Sequence, residues 1–291
     1  MHRPIRTMLY VPGHKQKWVD NVPSFGADAV VLDLEDSVPD HLKVEARGIV
    51  AAAIPRLKDE TTTRLFVRTN KGRYAYDYAD IEAVVQPGLA GIVVTKAEDH
   101  EDIEAISRIV AEVEHRKNMP IGGVTLMPPI ETAGASRYIH EIAANPRVES
   151  IAAVSARGAD LERNFGFTWT AEGTETLYHR SRAVIACKAA GKRFPIGGMW
   201  QEVHDLEGLR KQALFNKQLG FSGEIILHPS NVAVINEVYS PAAGQLDFYR
   251  GMIEAFAAAE KEGQGAIMYR GEHIDIAHVE TARSFLALWD H

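Results

Sequence analysis

The stretch AVVLDLED, residues 29–36, decides the fold, because an apolar run ends abruptly in acidic side chains. Continuous apolar runs of this kind are typical of parallel strands that are buried on both faces. Five further runs end in polar or charged residues in the same way: RLFVRTN at 64–70, GIVVTK at 91–96, GVTLMPPIE at 123–131, SIAAVS at 150–155 and GEIILHP at 223–229. When such strands close into a barrel, their carboxyl ends meet at one mouth, where barrel enzymes carry their active sites.

Apolar strands and amphipathic helices alternate eight times, which predicts an α/β fold of the (β/α)8 TIM-barrel type. The predicted strands are 7–11, 28–33, 64–69, 91–95, 122–127, 149–155, 194–199 and 223–227. The seventh carries Gly197-Gly198, which lowers strand preference. Predicted helices begin near 15 and 131 and span 41–57, 99–117 and 173–191, the last after a loop at 156–171.

The chain is long enough for one barrel and an additional segment, since eight strand-plus-helix units need about 250 residues. We therefore predict a catalytic barrel domain at 1–240 and a C-terminal helical extension at 241–291, with a helix at about 242–262. The extension is expected to act as a lid over its own barrel or over a neighbouring subunit.

The amino-acid composition limits which binding partners and which cellular location we expect. Apolar residues make up 46% of the 291 residues and charged residues 24%, while the net charge is −7. The acidic balance argues against nucleic acid or an anionic membrane as the main partner, although Lys15, Lys17 and Arg47 could form a local basic patch. Cys187 is the only cysteine, which excludes an internal disulfide, and no secretory or membrane-spanning run is present. We expect a cytoplasmic protein.

Two acids follow consecutive strands of the predicted sheet, Glu131 after the fifth and Asp160 after the sixth. Neighbouring strands lie about 4.8 Å apart, so the two carboxylates could share one cation. Such a pair suits Mg²⁺, with Mn²⁺ as the alternative, while zinc is the poorer fit because no pair of histidines has ligand spacing. The alternative interpretation is that Glu131 favours a helix N-terminus and Asp160 caps another helix.

Charged residues also cluster after the second, third and fourth strands. Asp33 is expected to belong to a structural network, whereas Glu35 and Asp36 could hold metal-bound waters. Arg68 ends an apolar strand, where a cation is costly unless it is paired. Its partner would be a substrate carboxylate or a developing oxyanion, or else Glu35 or Asp36 in a salt bridge. For Lys96 we favour a salt bridge over a Schiff base.

The chain resembles the citrate lyase beta-subunit and malyl-CoA lyase family over nearly its whole length. The motifs that carry the resemblance are LYVPGHKQKWV, GADAVVLDLEDSVP, FVRTN, PPIETAGA, GADL, LYHRSRAVIACKAAG, DLEGL, LGFSGEIILHPSNVAVINEVYSP and GEHID. The resemblance implies a (β/α)8 barrel, magnesium, and reversible cleavage of a 3-hydroxyacyl-CoA such as malyl-CoA or citramalyl-CoA. The products would be acetyl-CoA or another acyl-CoA and a 2-oxo acid, glyoxylate or pyruvate.

The same resemblance assigns roles to individual residues. Glu131 and Asp160 match the metal ligands, and Arg68 matches the arginine at the reacting oxygen. Asp275 matches the acid that the C-terminal segment places over a neighbouring subunit's site, usually in trimers or hexamers. Lys15 and Lys17 are expected to contact the CoA phosphates.

The sequence departs from the family at four places, which bear on the acyl substrate. The frequent Gly-x-Glu-Asp-Leu is Gly158-Ala159-Asp160-Leu161 here, Gly197 replaces a common Asp, Glu224 a common Lys and Ala277 a common Pro. The alternative functions are a malyl-CoA thioesterase with malate-synthase-like chemistry, a citrate lyase beta subunit acting on a citryl thioester, an aldolase for free 2-oxo acids, and a non-catalytic acyl-CoA sensor.

Overall fold

Residues 4–72 and 74–289 are described by the computed structural model, and seven of their strands form one parallel sheet. In chain order the strands are β1 Thr7–Pro12, β2 Ala29–Asp33, β3 Arg64–Arg68, β4 Leu89–Val93, β5 Thr125–Met127, β6 Ile196–Gly197 and β7 Gly223–Ile226. Their order across the sheet is β5-β4-β3-β2-β1-β7-β6. The predicted α/β class with a curled parallel sheet is confirmed.

The register of the sheet brings five strand ends to one edge. Pro12 pairs with Asp33, Asp33 with Arg68, Arg68 with Val93, and Val93 with Met127. The side chains that follow these residues along the chain therefore start from neighbouring positions. This alignment explains why polar groups that are distant in sequence can build one site.

Residues 149–155 do not form the regular sixth strand that we predicted. Ala152 makes single parallel bridges to Pro129 on one side and to Ile196 on the other. Pro128 and Pro129 have no backbone N–H to donate, so the ladder on that side cannot continue from residue to residue. The predicted seventh strand is likewise shortened to β6, at the glycine pair.

Helices cover the segments between the strands. They are α1 Gln16–Asp20, α2 Lys43–Glu60, α3 Tyr78–Val84, α4 His100–Arg116, α5 Ala133–Arg137, α6 Ile139–Ala144, α7 Asp160–Phe165, α8 Leu177–Ala189, α9 Leu206–Leu219, α10 Val232–Tyr239, α11 Gln245–Lys261 and α12 Ile276–Trp289. The sequence did not predict α3, and α7 lies inside the predicted loop at 156–171. The helix expected to open at Glu131 starts two residues later, after its N-cap Thr132.

Both faces of the sheet are buried, which accounts for the unbroken apolar runs. In β2, Val30 and Leu32 belong to the large core cluster that the helices pack against, while Ala29 and Val31 belong to a second cluster. Alternate side chains of one strand thus enter different cores, as the period of two in a strand requires.

The chain divides into two compact units, one spanning Ile5–Tyr239 and the other holding the chain from Ser240 onwards. In the second unit α11 and α12 flank an antiparallel hairpin, β8 Ala266–Tyr269 with β9 Glu272–Asp275. The C-terminal extension thus contains, besides its helices, a hairpin that the sequence did not predict. None of the described helices has the length and apolar character needed to cross a membrane.

Candidate active site

A cavity of about 380 Å³ opens at the carboxyl ends of the strands. Arg68, Asp36, Glu131 and Asp160, all predicted site residues, line this cavity. The remaining lining includes Tyr10, Pro12, Trp18, Asp33, Ser37 and Met199. Residues that follow five different strands are thus brought together, as the strand-end argument predicts.

Arg68 is held by a fork of two bonds to the buried carboxylate of Asp33. Its Nε and Nη2 donate to Oδ1 and Oδ2 of Asp33, both at 2.7 Å, and its Nη1 lies 3.0 Å from Glu35 Oε2. Burial by itself would raise the pKa of Asp33, but the hydrogen bonds from Arg68 and Ser37 overcome this and lower the pKa. Asp33 is therefore an ionised structural partner that fixes the guanidinium in place.

Lys96 forms the predicted salt bridge and also positions a second acid. Its Nζ contacts Glu35 and lies 3.1 Å from Asp36 Oδ1. Its backbone has φ of +50°, a left-handed conformation that is uncommon for a residue with a side chain. In this conformation its N–H donates to Glu131 Oε1 at 2.7 Å, and Thr95 Oγ1 donates to the same oxygen at 3.2 Å.

Glu131 and Asp160 offer the oxygen atoms that a hard cation would need. Glu131 is 8% exposed, and both of its hydrogen bonds use Oε1, so Oε2 accepts none among the described residues. Burial, followed by the charge of Asp160, raises the pKa of Glu131 to about 7. A cation would relieve that cost, and two carboxylates with remaining positions for water or substrate match the chemistry of Mg²⁺. The pair therefore fits a magnesium ion.

Neither carboxylate makes the side-chain bond of an N-cap, although both lie at helix N-termini, where a negative charge is also favoured. Thr132 caps α5 through its hydroxyl, and Ala159 occupies the N-cap of α7 without a side-chain bond. Asp160 is the first residue of α7 and pairs with Arg163. Within residues 4–72 and 74–289, no group of three or more His, Cys, Asp or Glu side chains is arranged to hold a metal. Any cation here would rest on this pair.

Four predicted site residues are not part of the cavity lining: Glu35, Lys15, Lys17 and Asp275. Lys15 and Lys17 are exposed at the start of α1, and neither lines the cavity. Asp275 ends β9 in the second compact unit, where its Oδ1 lies 2.6 Å from His278 Nδ1. That hydrogen bond lowers the pKa of Asp275. Arg47, the third member of the expected basic patch, instead pairs with Asp77 and Asp80.

Sequence reasoning missed two aromatic residues of the cavity. The Tyr10 ring lies under the Arg68 guanidinium, 5.1 Å from its carbon, and Trp18 is 52% exposed although it lines the cavity. The signal for Tyr10 was its alternate position in β1, on the face opposite Leu9 and Val11. Apolar periodicity marks buried residues and not exposed ones, so it could not identify Trp18 as part of a cavity.

Comparisons with known proteins show which family the sequence matches. The family described as HpcH/HpaI aldolase/citrate lyase matches residues 6–229. The chain is 30% identical to the citrate lyase subunit beta of Escherichia coli K12 over 98% of this chain and 93% of that protein. It is 28% identical to a (3S)-malyl-CoA thioesterase of Cereibacter sphaeroides, covering 98% and 94%. It is 29% identical to the mitochondrial citramalyl-CoA lyase of Mus musculus, covering 98% and 86%.

Among solved structures, the CitE protein of Mycobacterium tuberculosis in complex with magnesium, acetoacetate and coenzyme A has the same fold. The TM-score is 0.75 at 23% identity, and the match covers 99% of both chains. The predicted family and the prediction of an enzyme are both confirmed.

Proposed function

Because this chain belongs to the HpcH/HpaI aldolase/citrate lyase family, we propose that it is a magnesium-dependent carbon–carbon lyase acting on a CoA thioester. The substrate would be a 3-hydroxyacyl-CoA such as malyl-CoA or citramalyl-CoA, cleaved reversibly into an acyl-CoA and a 2-oxo acid. The observation that carries the proposal is the cavity in which Glu131, Asp160 and Arg68 converge. The magnesium in the CitE complex and the name of the citramalyl-CoA lyase support it.

Glu131 and Asp160 would hold the magnesium ion. When bound, magnesium supplies positive charge that eases loss of the substrate's hydroxyl proton and stabilises the 2-oxo acid. Glu131 must be ionised to act as a ligand, and Lys96 N–H and Thr95 Oγ1 favour that form by donating to Oε1. Since its pKa is about 7, magnesium affinity should fall as the pH drops below that value.

Arg68 would stabilise the negative charge that develops on the substrate oxygen as the bond breaks. Its Nε and Nη2 each donate one hydrogen to Asp33, and its Nη1 forms an ion pair with Glu35 Oε2 at 3.0 Å, so the second hydrogen of Nη2 and a hydrogen of Nη1 are left for a ligand. The bidentate bond to Asp33 holds the plane of the guanidinium fixed, so little reorganisation is needed. Glu35 and Asp36, bound to Lys96, would position water or substrate at the same mouth.

Asp275 would move a proton at the α-carbon of the acyl-CoA, as an acid during cleavage and as a base during condensation. Its bond with His278 favours the carboxylate, which is the form that condensation requires. We propose that the segment after Ser240 closes over a neighbouring subunit of a trimer or hexamer. Mixing Asp275→Ala with Arg68→Ala protein should then restore part of the activity, and no recovery would count against shared sites.

We also infer that the sheet closes into an eight-stranded barrel through residues 149–155. The bridges of Ala152 to both Pro129 and Ile196 support this closure, as does the bond from Ser155 N to Gly198 O at 2.9 Å. Lys15 and Lys17 would contact CoA phosphates, for which their exposure at the start of α1 is suitable. An increase in KM without a change in kcat is the expected result of removing both charges.

The test is a panel of 3-hydroxyacyl-CoA thioesters incubated with protein and magnesium, with 2-oxo acids and free CoA measured separately. We expect a 2-oxo acid from at least one thioester, and a loss of at least about 100-fold in kcat for Glu131→Gln and for Asp160→Asn. Glu141→Gln, which removes one charge from the exposed side of α6, is the control. Undiminished magnesium-dependent turnover in both site variants would falsify the metal assignment.

A second candidate function is hydrolysis of malyl-CoA, because several matched relatives are named (3S)-malyl-CoA thioesterases. The same panel separates the two reactions, since a thioesterase releases free CoA and no 2-oxo acid. A citryl thioester in the panel tests the citrate lyase subunit alternative, which the Escherichia coli relative supports.

A further inference from the structure

A second cavity, of about 460 Å³, lies beside the first and has no role in the proposed reaction. The two cavities share the segments 154–156 and 198–200. Val154 and Ala156 line the first cavity, whereas Ser155 between them lines the second. In the same way Met199 lines the first, whereas Gly198 and Trp200 line the second. The rest of the second cavity comes from residues 169–173 and from α8 and α9.

Four buried polar atoms on residues lining this second cavity have no hydrogen-bond partner among the described residues. They are Ser155 Oγ, Arg180 Nε, Trp200 Nε1 and Gln212 Oε1. Buried polar groups in proteins are nearly always bonded, and each exception needs an explanation such as a bound ligand or water. Water could satisfy the three neutral atoms, but water does not supply a counter-charge.

Arg180 is the charge that lacks a partner. It is 4% exposed and makes no ion pair within residues 4–72 and 74–289. Its Nη1 donates to Asn216 Oδ1 at 2.7 Å and its Nη2 to Gly173 O at 2.5 Å, and both acceptors are neutral. Burial lowers the pKa of Arg180, and the charges of Glu224 and Glu175, neither of which forms an ion pair with it, offset only part of this effect.

The buried acid linked to Arg180 does not replace a direct counter-ion. Glu224 is connected to Arg180 only through Asn216, whose Nδ2 donates to Glu224 Oε1 at 2.9 Å. Burial raises the pKa of Glu224 to about 7, so this carboxyl is partly protonated at neutral pH. The two acids in the cavity lining, Glu172 and Asp205, are exposed to solvent, whereas Arg180 is buried.

We propose that this second cavity binds a small oxyanion, a carboxylate or a phosphate, that carries an apolar group. The anion would pair with Arg180 and Lys211, and it would accept hydrogen bonds from Ser155 Oγ and Trp200 Nε1. The apolar group would pack against Trp169, whose ring centroid lies 6.1 Å from that of Trp200, and against Phe215. The size of the cavity suits a small metabolite.

The test is titration of the full-length protein, in the presence of a metal chelator, with inorganic phosphate, phenyl phosphate and benzoate. A background of Trp18→Phe and Trp289→Phe removes the fluorophore that lines the first cavity and the one in the second compact unit, so that the fluorescence of Trp169 and Trp200 reports on the second cavity. We expect saturable binding of at least one probe. Tighter binding of phenyl phosphate or benzoate than of inorganic phosphate would support the apolar group, and binding of inorganic phosphate alone would overturn it.

Lys211→Met should weaken that binding at least about tenfold, because it removes a charge-assisted hydrogen bond. Arg210→Met is the matched control, since Arg210 precedes Lys211 on α9, carries the same charge and pairs with Glu237 outside the cavity. Trp200→Phe provides a second variant that keeps an aromatic ring and removes only the N–H donor, and calorimetry measures its affinity. Absence of saturable binding, or equal affinities for Lys211→Met and Arg210→Met, would overturn the proposal.

Discussion

The two adjacent cavities differ in how their charges are compensated. In the first, Arg68 and Lys96 are both engaged by acids, and Glu131 and Asp160 add further negative charge. In the second, the buried cation Arg180 is bonded only to neutral groups. Neighbouring residues of the same strand ends therefore contribute to two opposite electrostatic environments. The first cavity carries an excess of carboxylates, whereas the buried cation of the second makes no ion pair among the described residues.

The largest effect should come from removing the cation that the first cavity depends on. Arg68→Met leaves Asp33 buried without its two charged hydrogen bonds, and Asp33 is fully buried. Loss of one member of a buried ion pair costs about 3–5 kcal/mol in the free energy of unfolding. Urea denaturation at neutral pH measures this cost.

Arg64→Met is the control for that change, because Arg64 lies at the opposite end of β3. Its guanidinium also makes a two-bond pair, with Glu149 at 2.5 and 2.7 Å, but both side chains are 20% exposed. We expect the smaller cost of a partly solvated pair, about 1 kcal/mol. If the two substitutions lowered the free energy of unfolding equally, the buried ion pair of Arg68 would contribute no more than the partly exposed pair of Arg64.

A second prediction concerns the sign of the pH dependence in the metal-free protein. The pKa of Glu131 is raised in the folded state, so its contribution to stability is fully present below its ordinary pKa and is lost as the pH rises through about 7. Glu131→Gln removes this loss and should be more stable than the wild type at pH 8 by roughly 1–3 kcal/mol. The difference should vanish near pH 4.5, as thermal unfolding across this range would reveal.

Asp33→Asn should behave in the opposite way, although it alters a buried acid of the same cavity. Because Arg68 and Ser37 hold the pKa of Asp33 low against the effect of burial, its contribution to stability is present above its ordinary pKa and is lost as the pH falls. Its replacement should therefore destabilise the protein at pH 8. If Glu131→Gln and Asp33→Asn changed the stability at pH 8 in the same direction, the charge states described for these two acids would be wrong.

The smallest predicted effect compares one buried hydroxyl from each cavity region. The Thr132 hydroxyl beside Glu131 donates to Ala97 O at 2.8 Å and accepts from Ala135 N at 2.9 Å. Thr132→Val should cost about 1 kcal/mol. Ser155 Oγ has no partner among the described residues, so Ser155→Ala should stabilise the ligand-free protein by up to about 1 kcal/mol. A loss of stability in both variants would mean that ordered water already satisfies Ser155.

The sequence predicted the sheet best where an apolar run was long and free of proline. The strands β2 to β4 were found because their residues are buried on both faces and charged residues stand at or just after their ends. The sequence of segment 149–155, taken by itself, predicts a strand equally well. Its irregularity is caused by Pro128 and Pro129 on the neighbouring segment, a pairing that is defined only in three dimensions.

The hairpin β8–β9 was missed although its signal was present. Arg270 and Gly271 connect the two strands and both have positive φ, +47° and +89°. A two-residue connection ending in glycine is typical of tight hairpins. The flanking residues fall within the predicted extension at 241–291, for which we predicted only the helix at about 242–262.

For the site, strand ends predicted that Arg68, Glu131 and Asp160 would line one cavity, and they do. The second cavity could not be predicted, because the loop residues 169–173 and α9 supply most of its lining. No sequence pattern specifies which polar atoms lose their partners when such elements pack. Arg180 stands between His179 and Ser181 in the sequence of α8, where nothing distinguishes it from an exposed helical arginine.

Segment 154–156 also constrains how this protein can change over evolution. Consecutive residues of this segment line different cavities. Insertion or deletion of a single residue would therefore move each following side chain from one cavity to the other. Substitutions, in contrast, can adjust one chamber while leaving the other intact. We therefore expect segment 154–156 to vary in amino-acid identity while keeping a constant length.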